Sequence, residues 1–153
     1  MNTAMPHTDG AGTLDQALAH AERLLERDPS LAGEQAAEIL KVVPEHPAAL
    51  RVLAIARAMR GDADAALAIL EPLARAQPSW AQVHFDLGVV LGQRGRGEEA
   101  TVALRRAVAL KPGLPQAWRL LGDHLLAAGD HDAADVAYAQ HVRHSVRDPQ
   151  PGH

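Results

Sequence analysis

The chain repeats itself every 34 residues, and this period limits its fold more than any other feature. GDADAALAILEPLARAQP (61–78) aligns with GRGEEATVALRRAVALKP (95–112), each running from a Gly to a Pro, and a third Gly follows at Gly129 before DHDAADVAYAQHV. A repeat of this length is one supersecondary unit that cannot bury an apolar face alone, so successive units must stack on one another.

Extending the register gives four units, 13–46, 47–80, 81–114 and 115–148, flanked by an N-terminal tail (1–12) expected to be disordered and a C-terminal tail (149–153). One column is invariant: Ala32, Ala66, Ala100, Ala134. A second reads Ala19, Leu53, Leu87, Leu121, and the next His20, Ala54, Gly88, Gly122. Small residues at mid-helix positions let two antiparallel helices approach closely, while the adjoining Leu fills the space beside them. Gly61, Gly95 and Gly129 suit the left-handed residue that ends a helix. Asp62 and Asp130 follow at once, where a carboxylate caps the next helix. Pro44, Pro78 and Pro112 close their units, because the residue before a proline avoids helical angles; Val146 replaces this Pro in the last unit. Each unit is therefore helix–turn–helix, with helices expected over 14–27, 31–43, 47–60, 63–76, 81–94, 97–110, 115–128 and 131–146. The first unit is degenerate, turning at Arg27-Asp28-Pro29 instead of Gly. Since Gly12 to Pro29 shows the same Gly-to-Pro spacing, 13–29 also reads as a lone second helix.

Composition narrows the function. Aromatics make up only 3% of an alanine-rich chain, which favours packed helices over a β-sandwich. With no Cys, disulfides, zinc ribbons, iron–sulfur clusters and thiol catalysis are excluded. A formal charge of −4 argues against nucleic-acid binding. No apolar run is long enough to span a membrane, and MNTAMPHTDGAG lacks the basic flank and apolar core of a signal peptide, so a cytoplasmic protein is expected.

The 34-residue period with these columns resembles the tetratricopeptide repeat over 13–148. The third unit carries Leu87-Gly88, Leu91, Gly95, Ala100, Leu104, Ala107 and Pro112 at that family's signature positions; the fourth carries Trp118, Leu121-Gly122, Leu125, Gly129, Ala134 and Tyr138. His141 departs from the pattern where a small residue is usual. The resemblance implies an all-α, right-handed α-solenoid of about four helix-turn-helix units whose concave face, lined by the first helix of each unit, binds a peptide or helix of a partner protein. On this register the partner-binding face carries Arg51, Ile55, Met59, Gln82, Phe85, Asp86, Val89, Gln93, Arg119 and Asp123. Phe85 is the strongest single anchor there, unless it packs within its own helix pair. Family members that grip C-terminal carboxylates use Lys, Arg and Asn at set concave positions; only Arg51 fits, with Ile55 in place of the Asn, which argues against such a clamp.

The later units also resemble the N-terminal repeat region of bacterial tetratricopeptide-repeat sulfotransferases. That resemblance implies an alternative function, an accessory region that positions an acceptor for a catalytic domain absent from this chain. No Gly-rich strand–loop–helix is present to cradle a phosphate, since GRGEE (95–99) lies at a helix-pair turn.

No catalytic residue, metal site or cofactor is expected. His141 and His144 share a helix face with His131 at the start of that helix and His124 on the preceding one, but no dense metal-binding signature accompanies them. Ser30, Ser79 and Ser145 sit at helix boundaries, where Ser caps; Glu98-Glu99 and Asp132/Asp135 begin helices, where acids favour the dipole. Arg105-Arg106 reads as a solvated outer face, without the aromatic interleaving of a nucleic-acid stripe. The acidic segment 1–46 is suited to steer a basic partner or to pair with another copy. On the final helix, Ala133, Val136, Ala137, Tyr138 and Val142 form an apolar strip that invites self-association through that helix, unless they pack inward. The expected function is a non-catalytic protein–protein interaction scaffold.

Overall fold

The computed structural model describes residues 10–146. Among them are eight helices and no strand: α1 (Gly10–Arg27), α2 (Pro29–Val42), α3 (Pro47–Met59), α4 (Ala63–Ala76), α5 (Ala81–Gln93), α6 (Gly97–Leu110), α7 (Pro115–Ala127) and α8 (His131–Ser145). These agree with the expected helices to within a few residues at each end. The largest difference is at the start: α1 begins at Gly10, so the last residues assigned to a disordered tail are helical. The remainder of that tail, 1–9, and the C-terminal tail lie outside the described residues. No described helix is long and apolar enough to cross a membrane.

The chain divides into two compact units, Met1–Leu73 and Ala74–His153. In the first, α1 packs on α2, and α3 packs on both. Ala21, Ala32, Ala36 and Val52 are buried there, with Leu18, Leu24, Leu25 and Leu53 packed around them. Four buried residues of which three are Ala explain why the helices lie close: there is little side chain to hold them apart. In α4, Leu67, Leu70 and Leu73 are buried at three-residue spacing and give that helix one apolar stripe. In the second unit, α5 packs on α6, α6 on α7 and α7 on α8. Its core joins Leu104, Val108, Ala117, Leu121, Leu125, Ala134 and Ala137.

The turns inside three hairpins are the same motif repeated. Gly61, Gly95 and Gly129 have φ of 88°, 77° and 86°. At each, the following residue donates its N–H back to the carbonyl five residues earlier: Asp62 to Arg57, Arg96 to Leu91 and Asp130 to Leu125, all at 2.9 Å. This is the Schellman closure, which satisfies a terminal carbonyl and needs a left-handed residue. Asp62 and Asp130 then accept from Ala65 N (3.1 Å) and Ala133 N (3.2 Å), capping the second helix. The first hairpin turns differently, as its sequence indicated. Asp28 alone links α1 to α2, accepts from Leu31 N at 3.2 Å and is followed by Pro29 at the first helical position.

The glycines of the small column become notches. A Cβ on Gly88 would lie 2.6 Å from Leu104 Cγ, and one on Gly122 would lie 2.7 Å from the Tyr138 ring. In these two hairpins the first helix supplies a hole and the second helix the side chain that fills it.

Candidate functional site

The ten residues expected to bind a partner all lie on first helices of hairpins. Arg51, Ile55 and Met59 are spaced four apart along α3 in the first unit. Gln82, Phe85, Asp86, Val89 and Gln93 lie on α5, and Arg119 and Asp123 on α7, in the second. Residues four apart share a helix face, so each helix contributes its own stripe. Met59, Gln93, Arg119 and Asp123 are exposed, whereas Arg51, Ile55, Gln82 and Val89 are half-buried.

One of the ten needs correction, and a second packs inward. Asp86 is buried, only 7% exposed, and is not open to a partner; a charge so placed is engaged within the fold, because burial without partners costs too much. Phe85 is half-buried and packs against the core cluster of the second unit, the alternative its sequence position had left open. Helical spacing marks a face but does not reveal which edge of that face the next hairpin covers, and both residues lie on a covered edge.

A polar cluster on α7 and α8 was not legible in the sequence. Arg119 donates to Gln116 Oε1 (3.0 Å) and Asp123 Oδ2 (3.3 Å), and the Tyr138 hydroxyl donates to Asp123 Oδ1 at 2.6 Å. Arg119 is thus held by residues on its own helix, and Asp123 is held in turn from α8. The hydrogen bond to Asp123 raises the Tyr138 pKa, because it favours the protonated phenol; burial and the Asp123 charge act in the same direction, and Arg119 opposes them. This contribution to stability is present below the ordinary tyrosine range and is lost as pH rises through the folded value. Tyr138 is the chain's one tyrosine, so an ultraviolet titration should show a single phenol ionising above about 10. Asp123→Ala should lower that midpoint; an unchanged midpoint would remove the carboxylate as the cause. Near the start of α6, Arg96 grips Glu99 through both carboxylate oxygens at 2.7 Å, and this hydrogen bonding holds the Glu99 carboxyl below its ordinary pKa.

Two histidines hold backbone carbonyls within the fold. His141 Nδ1–H donates to the Pro115 carbonyl at 2.7 Å, tying α8 to the start of α7, which accounts for a large residue where a small one was expected. His84 Nε2–H donates to the Pro78 carbonyl at 2.9 Å. One repeat later the Trp118 indole donates to the Pro112 carbonyl at 2.7 Å, so two unlike rings perform the same local task. Among the described residues no group of three or more His, Asp or Glu is placed to hold a metal ion.

Of the residues expected to form an apolar strip on the last helix, Ala137 is buried and Ala133 and Tyr138 are half-buried, leaving Val136 and Val142 exposed together with Val146. One pocket of about 230 Å³ lies between α2 and α3 and another of about 460 Å³ lies among α6, α7 and α8. Neither contains any of the ten expected residues.

Notched helix hairpins closed by Schellman glycines and recurring every 34 residues define a helical-repeat protein. The chain belongs to the tetratricopeptide-repeat family: one profile of that family matches residues 60–115 and 85–145, together more than half of the chain, and another matches 47–72. Solved structures titled MamA share the fold. One has 19% identity and a TM-score of 0.72, covering 90% of this chain and 76% of that one. A second has 18% identity and a TM-score of 0.70, covering 95% and 96%. MamA from Desulfovibrio magneticus RS-1 has 21% identity and a TM-score of 0.74, covering 86% and 75%. The fold is thus the expected all-α tetratricopeptide solenoid. No curated protein sequence matches the chain, and these matches give no support to the sulfotransferase resemblance.

Proposed function

We propose that this chain is a non-catalytic protein-interaction scaffold that holds a peptide or helix of a partner on the exposed stripes of its first helices. The observation that carries this reading is the accessibility of Met59, Gln93, Arg119 and Asp123 on helices whose other faces are buried. Mixed apolar and charged side chains held on rigid helices suit recognition of a peptide more than chemistry on a small molecule. Arg119, fixed by Gln116 and Asp123, is already ordered, which lowers the entropic cost of engaging a partner's carboxylate or carbonyl. No observation favours the accessory-region alternative.

The test is a peptide-display selection against the whole chain, followed by calorimetric titration of a selected peptide. Gln93→Glu and Arg119→Glu, both at exposed sites of the second unit, should each weaken binding about tenfold or more while helicity is unchanged. Peptides whose affinity ignores both substitutions would place the interaction elsewhere and contradict the proposal.

A further inference from the structure

The 460 Å³ pocket of the second unit is an open apolar groove with α6 and α8 as walls and α7 as floor. Its depth comes from small side chains, Ala109 on one wall and Ala133 and Ala137 on the other, where longer ones would fill the trough. Trp118 and Leu121 form the floor. The lining reaches solvent on an apolar edge: Val136 on α8 is 62% exposed, and Ala109 on α6 is exposed as well. Apolar side chains gathered around a trough, and not scattered singly, mark a surface that another molecule covers.

Charge identifies the occupant. Arg105 is the one charged side chain lining the groove. It and the adjacent Arg106 are exposed, and neither has a hydrogen-bond or ion-pair partner among the described residues. A guanidinium at the edge of an apolar trough offers a fork of donors suited to a carboxylate. The trough runs between two helices, so an apolar stripe at helical spacing fits it better than an extended strand, which presents alternate side chains to opposite faces. The first helix of this chain itself, α1, is poorly placed to serve, since Leu18, Leu24 and Leu25 already pack on the core of the first unit. We propose that the groove docks an amphipathic helix of a partner protein, its apolar stripe over Trp118 and Leu121 and its flanking carboxylates on Arg105 and Arg106. This site uses second helices and is separate from the first-helix stripes.

The experiment is fluorescence anisotropy of the full chain with a labelled synthetic helix bearing a leucine stripe flanked by glutamates, and with its twin in which lysines replace the glutamates. The glutamate helix should bind about tenfold more tightly than the lysine helix. Arg105→Glu with Arg106→Glu should reverse that preference, and Val136→Glu or Ala109→Trp should abolish binding of both, with circular dichroism unchanged. Arg119→Glu should have no effect, which separates this site from the first-helix stripes. Equal binding of the twins, binding that survives both groove variants, or loss on Arg119→Glu would overturn the proposal. So would self-association of the chain that Val136→Glu abolishes, since a second copy would then be the occupant.

Discussion

Leu104→Ala should lower the unfolding free energy by about 2–5 kcal/mol, the usual cost of emptying a fully buried leucine site. Leu104 has no exposed surface and sits in the Gly88 notch while also forming part of the core shared by α6, α7 and α8. The substitution removes apolar burial from the hairpin and from its neighbour together, and close-packed helices relax only partly into the space left. Leu110, on the same helix but 39% exposed, is the control. Leu110→Ala should cost less, because more than a third of its surface already faces water in the folded chain. Urea denaturation followed by circular dichroism measures both. A loss below about 1 kcal/mol for Leu104→Ala would mean that the notch is not filled in solution.

Gly88→Ala carries the second large effect and is tied to the first. On an exposed helix this exchange would stabilise by about 1 kcal/mol, since Ala is the better helix former. Here the new Cβ would sit 2.6 Å from Leu104 Cγ, 2.8 Å from its Cδ2 and 3.4 Å from the Ala100 carbonyl oxygen. The obstacle is the branch point of a fully buried side chain, not its free end, so Leu104 has no open rotamer to adopt. Overpacking of this kind costs about 1–3 kcal/mol. In the Leu104→Ala background the obstacle is gone, and Gly88→Ala should become neutral or stabilising. The double-mutant cycle should therefore show strong coupling; simple additivity would separate the two residues.

Much of this architecture was legible because the features that specify it are local. The Gly-to-Pro spacing, the caps at Asp62 and Asp130 and the small column Ala54–Gly88–Gly122 act within a single hairpin, where sequence distance fixes spatial distance. The site was less legible because it depends on packing between hairpins. Asp86 and Phe85 share helical faces with exposed residues, and only the placement of the neighbouring helix shows that they are covered. Tyr138 reaches Asp123 across a hairpin, and no spacing rule in either helix announces that pair. The groove beneath Val136 arises from three alanines that are unremarkable one by one and become a trough only when α6 and α8 stand on either side of α7.

The central claim is that a first-helix glycine receives a second-helix side chain at the same offset in successive repeats. Nuclear Overhauser spectroscopy on the labelled chain tests it most directly. The account predicts contacts from the Gly88 α-protons to the Leu104 methyls and from the Gly122 α-protons to the Tyr138 ring, each pair 16 residues apart. Contacts from either glycine to a residue at a different offset, with these two sets missing, would contradict it.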